Sequence, residues 1–117
     1  NSYCSISPEA LETDSTESIN LMLFDLSISG FAIICDSLAI ANKFILGAEL
    51  IDCELSLNDS ETHKISFIPR NITPVNPNRP TKNQRIGCEF VNLDARAENA
   101  FSRYMHTIER ELKKNFS

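Results

Sequence analysis

Apolar residues recur at helical spacing over one sustained stretch of this sequence, and it is the last. Ala97, Phe101, Tyr104, Met105, Ile108 and Leu112 fall at steps of three or four, the stripe of an amphipathic helix. Asp94 reads as its N-cap, Glu98 lies in its first turn, and Lys113 and Lys114 lie in its last, all matching the helix dipole. Everything upstream consists of short apolar runs broken by polar corners. A chain of 117 residues holds one core, and a striped helix must cover something. Five or six short strands followed by one helix predict an all-β domain with one helix. We expect a small antiparallel six-stranded β-barrel over about residues 3–92, closed by a C-terminal α-helix over about 95–114.

The runs place the strands. Tyr3 to Ser7 reads as a first strand ended by Pro8, and the acidic segment Glu9 to Ser18 as a hairpin connection or a solvated edge. Ile19 to Phe24 is apolar at nearly every position, which predicts a strand buried on both faces. Phe31 to Cys35 continues as a central strand; Ser37 to Leu46 fits either a strand or a short helical turn, ended by Gly47. In Leu50 to Leu57 strict alternation puts Ile51, Cys53, Leu55 and Leu57 on one face. Asn58-Asp59-Ser60 is turn chemistry, and Ile65 and Phe67 mark the return strand. Pro69, Pro74, Pro77 and Pro80 then predict a long exposed loop or edge segment before a last strand, Gln84 to Val91.

Charge is divided along the chain. The formal net charge is −5, yet residues 1–42 carry six acids and no Lys or Arg, whereas Thr62 to Cys88 carries Lys64, Arg70, Arg79, Lys82 and Arg85 and no acid. An anionic ligand therefore has to be held by local positive charge against a repulsive global field. The absence of a long apolar window or a signal-like N-terminus predicts no membrane insertion and a cytoplasmic location. Cys4, Cys35, Cys53 and Cys88 lack the paired spacing of zinc sites and read as core thiols, with no metal. His63 and His106 read as surface residues. Without a nucleophile-base pair or a phosphate loop, the expectation is a binding module, not an enzyme.

The polar corner Asp25-Leu26-Ser27-Ile28-Ser29-Gly30 separates two apolar runs. It offers a carboxylate, a hydroxyl and a glycine free to adopt positive φ. Its spacing resembles the D-x-S-x-x-G motif of PilZ domains. Sixty residues on, Arg85-Ile86-Gly87-Cys88-Glu89-Phe90-Val91-Asn92-Leu93 running into a closing helix is similar to the end of flagellar-brake PilZ proteins. The resemblance covers about residues 19–112. It implies a receptor for the bacterial second messenger cyclic di-GMP, with Asp25, Ser27 and Gly30 at the ligand and no other cofactor. It also implies a protein effector in flagellar, pilus or polysaccharide machinery and no DNA; a homodimer is compatible with it.

The family's R-x-x-x-R motif is absent, since no arginine precedes Lys43. Tyr3-Cys4-Ser5-Ile6 resembles the segment that closes that motif, with Cys4 where its second arginine belongs; alternatively the pair lies upstream of Asn1. A charge-assisted hydrogen bond contributes roughly 1.5–3 kcal/mol. Losing several weakens binding by about two to four decades. Residues 1–117 alone are therefore expected to bind weakly, with Cys4, Arg70 and Arg85 as additional candidate contacts. The alternative implied function is a PilZ-fold protein-interaction module that does not bind the nucleotide.

Overall fold

The computed structural model describes residues 2–58 and 61–116, with side chains as far as residue 110. Six strands form a closed antiparallel barrel: β1 (Tyr3–Ile6), β2 (Ile19–Leu26), β3 (Gly30–Cys35), β4 (Leu50–Leu57), β5 (Glu61–Pro74) and β6 (Gln84–Val91). Around the barrel their order is β1-β2-β3-β6-β5-β4. Closure depends on short β1, which pairs Cys4 with Leu21 on one side and with Leu55 on the other. A short helix, α1 (Leu38–Ala41), follows β3, capped by the Ser37 hydroxyl accepting from Ile40 N–H.

The expected closing helix is α2 (Ala95–Phe116). Asp94 caps it: its carboxylate accepts from Ala97 N–H at 2.7 Å and its carbonyl from Glu98 N–H at 2.9 Å. Ala97, Ala100 and Phe101 are buried, so the first turns plug the barrel. The stripe does not stay covered, because Ile108 is 37% exposed; the side chains of Leu112, Lys113 and Lys114 lie outside the described residues. Inside, all four cysteines are buried free thiols, matching their reading as core thiols.

Three expectations about the strands and one about His63 need correction, two of them through strand irregularity. β2 is buried on one face only: Met22 and Phe24 are 61% and 56% exposed, so the apolar run reflects an apolar outer surface. In β4 the alternation breaks at a bulge between Leu50 and Cys53, where Asp52 takes φ 55°. The extra residue turns Ile51 outward, 58% exposed, while Cys53, Leu55 and Leu57 remain in the core. β5 runs straight through Pro69 to Pro74, and only residues 75–83 form the loop. The prolines are tolerated because β5 beyond Phe67 pairs with β6 alone, and a bulge at Pro69/Asn71 absorbs the missing donor. The fourth correction is His63, which is not a surface residue: its ring meets Phe101 edge-on at 5.5 Å, with Nε2 3.6 Å from the Glu61 carboxylate. His106 is exposed as expected, and of the turn at 58–60 only Asn58, at φ 51°, is described.

Candidate functional site

The corner between β2 and β3 is a tight turn locked by its own residues. Ser27 N–H donates to the Gly30 carbonyl at 2.8 Å, and Gly30 N–H donates to the Ser27 hydroxyl at 3.2 Å. Phe90 N–H donates to the Ser29 carbonyl at 3.0 Å, which ties the corner to β6. Ser27 thus shapes the backbone first, leaving its hydroxyl at the surface 3.3 Å from that of Ser29. Gly30 does not take positive φ, contrary to the expectation. It is required for another reason: a Cβ there would lie 2.1 Å from the carbonyl oxygen of Cys88.

Two bulges flank this corner. In β2 the register skips between Leu23 and Asp25, so Phe24 is the extra residue; in β5 it skips between Pro69 and Asn71, so Arg70 is. A bulge turns side chains away from the regular alternation and recurs beside functional sites. The result is an open cleft of about 570 Å³ whose walls include Asp25, Ser27, Gly30, Arg70, Arg85 and Glu89. An Arg85 Nη lies 3.9 Å from the Asp25 carboxylate, and the guanidinium sits 5.8 Å from the Phe24 ring centroid. Arg70 Nε donates to Glu89 Oε2 at 2.8 Å. Asn71 and Gly87 face each other across β5 and β6, where a Cβ on Gly87 would come within 2.7 Å of the Asn71 amide oxygen.

The fold therefore brings together Asp25, Ser27, Gly30, Arg70 and Arg85, and leaves Cys4 out. Cys4 is fully buried between β2 and β4. Arginine at that position would place an unpaired charge in the core instead of adding a ligand contact. Glu89, Asn71 and Phe90 were not legible as cleft residues. The signals present were indirect: Gly87 within a strand marks a close approach and Pro69 an edge, without naming the residues brought together.

The cleft offers hydrogen-bond acceptors, two guanidinium donors and bare backbone. Its one thiol, Cys88, is not a nucleophile in waiting: burial and then the neighbouring Cys53 push it up to about 12, against the opposing pull of Arg85. Burial, and then Asp52, likewise push Cys53 up to about 12. In the folded chain both should react with a disulfide reagent at pH 8 about a hundredfold or more slower than in urea, and comparable rates would contradict their burial. Because both folded values are raised, the stability they contribute is complete below the ordinary thiol value of 9.0 and is lost as pH rises toward about 12.

Fold and cleft together define a class: a small closed β-barrel with a helical plug and a polar groove on its wall. No family model matches the chain. The flagellar brake protein YcgR of Chromobacterium violaceum is 29% identical to it over 94 residues, 80% of this chain and 38% of that protein. YcgR of Azoarcus sp. is 28% identical over 96 residues, 82% of this chain and 36% of that protein. The chain thus spans under two-fifths of the length of these curated relatives. Among solved structures, the PilZ domain with c-di-GMP of Escherichia coli YcgR superposes with a TM-score of 0.71 at 16% identity, over 97% of this chain and 86% of that one. The K. pneumonia MrkH–c-di-GMP complex superposes with a TM-score of 0.76 at 16% identity, over 97% and 49%.

The fold is that of a PilZ domain, and the chain resembles the PilZ domain of flagellar-brake proteins, as its two motif segments imply. None of these names is an enzyme's, in agreement with the binding-module reading. MrkH is also described as a c-di-GMP-dependent transcription regulatory factor, so the expectation of no DNA partner gains no support from that neighbour. Among the described residues no helix is long and apolar enough to cross a membrane.

Proposed function

We propose that this chain is a receptor module that binds cyclic di-GMP in the cleft beside the β2–β3 corner and relays its arrival to a protein effector of flagellar, pilus or polysaccharide machinery. The observation that carries the reading is the Asp25 carboxylate, 67% exposed, set beside Arg85 in a bulge-shaped cleft on a fold that other proteins present with c-di-GMP. At about 570 Å³ the cleft is in the size range of small-molecule sites. Asp25 accepts the N1–H and N2–H of a guanine edge, the arginines suit phosphate or the O6/N7 edge, and Gly30 lets β3 approach β6 closely enough to form the cleft floor.

Asp25→Ala should weaken cyclic di-GMP binding by about 10–100-fold, the equivalent of one or two charge-assisted hydrogen bonds. Calorimetry on the intact protein checks this, and equal affinity in the variant would remove Asp25 from the site. One observation favours the second reading, an interaction module without nucleotide. Both cleft arginines already face a carboxylate, and residues 1–42 supply no cation. Under that reading neither the wild type nor any cleft variant shows saturable nucleotide binding, while an effector still binds.

A further inference from the structure

We infer that Glu89 guards the cleft: it holds Arg70 as a stand-in for the ligand's phosphate, and binding proceeds by exchanging that carboxylate for a phosphodiester on the same guanidinium. This rests on the reading of the cleft as a cyclic di-GMP site. Arg70 is the extra residue of the β5 bulge, with no register partner on β6, so its side chain is aimed by the bulge and not by the sheet alternation. Its Nε–H donates to Glu89 Oε2 at 2.8 Å, and both residues line the cleft. Glu89 is fixed from behind, since its own register partners are Gly30 and Ile68. Both side chains are about half exposed, 49% and 53%, and an exposed pair of this kind is held weakly.

The phosphates of a cyclic dinucleotide offer Arg70 the same anionic oxygens as the carboxylate, with bidentate geometry available. While Glu89 is ionised and in place, it both occupies the donor and repels the incoming dianion. The other cleft pair differs. Arg85 and Asp25 are 3.9 Å apart, too far for a direct hydrogen bond, so Asp25 is left to read a base edge while Arg85 stays near Phe24.

The test is a double-mutant cycle on the intact protein, titrated with cyclic di-GMP and followed by amide chemical shifts, which report weak affinities as well as tight ones. Glu89→Gln keeps the shape and removes the charge. It should tighten binding by about 3–10-fold, and Arg70→Gln should weaken it by about tenfold. In the Arg70→Gln background the gain from Glu89→Gln should largely disappear, because no guanidinium remains to be released. A gain of equal size in both backgrounds would mean a general charge effect, and no gain at all would mean that Glu89 restrains nothing; either overturns the inference while an Asp25→Ala loss leaves the site reading standing. Absence of saturable binding in wild type and Glu89→Gln alike would overturn the site reading itself and the inference with it. Unchanged thermal midpoints across the four proteins separate these effects from unfolding.

Discussion

Phe101→Ala lowers the stability of the domain by about 3–5 kcal/mol, the usual cost of emptying a buried phenylalanine site. The size follows from where the ring sits. Phe101 is fully buried, stacked on Phe90 at 5.4 Å between centroids and met edge-on by His63 at 5.5 Å, so its removal leaves a cavity walled by β5 and β6 that neither rigid strand can collapse into. Small domains have only about 5–15 kcal/mol in total, so this single change should bring the barrel close to unfolding at room temperature. A urea titration followed by circular dichroism reads it as a large drop in midpoint. A loss below about 1 kcal/mol would mean that α2 merely lies on the barrel. Ile108→Ala is the internal comparison: with 37% of the residue already exposed, its cost should be clearly smaller.

Gly30→Ala should destabilise by about 1–3 kcal/mol or more, an overpacking cost. Left-handed backbone strain plays no part, because Gly30 has no positive φ; the added methyl meets the Cys88 carbonyl at 2.1 Å, with two further backbone atoms at 3.2 and 3.3 Å. The backbone has little room to yield: Gly30 is held by Ser27, and its neighbour Ser29 accepts from Phe90 N–H. Any movement that relieves the clash spreads β3 from β6 and opens the cleft floor, so ligand affinity should fall along with stability. Gly47→Ala separates the two mechanisms. Gly47 has φ 89° and nothing within 4 Å of an added Cβ, so it should cost only the roughly 1–2 kcal/mol of left-handed strain and leave the cleft unaffected. If Gly30→Ala costs nothing, β3 and β6 do not approach each other as closely as described.

Much of the fold is legible in the sequence because period is legible. The switch from strand-like runs to the 3.6-residue stripe at Ala97 identifies the barrel and its plug, and Asp94 marks the boundary. The three bulges are not legible, and each misled or concealed something. One extra residue in β4 reverses Ile51, one in β2 re-aims the segment around Phe24 and Asp25, and one in β5 carries a strand through Pro69. A bulge is a property of two strands in register, so no single segment reports it. The site divides in the same way. Asp25, Ser27 and Gly30 are local and stand out as a motif, whereas the Arg70–Glu89 pair exists only because β5 and β6 align residues 19 positions apart. Gly30 was legible as necessary, but for a close approach that only the β3–β6 pairing creates.

Binding of a cyclic dinucleotide at the β2–β3 corner would leave a footprint on the cleft walls. Amide shift changes of the isotope-labelled protein, mapped during a cyclic di-GMP titration, read that footprint residue by residue. Saturable changes should concentrate at Ser27 to Gly30, Arg70 and Asn71, and Arg85 to Phe90, and in Asp25→Ala they should need about 10–100-fold more ligand. Changes centred elsewhere, for example on the outer face of β4 around Ile51, or a midpoint unchanged in Asp25→Ala, would place the ligand outside this cleft.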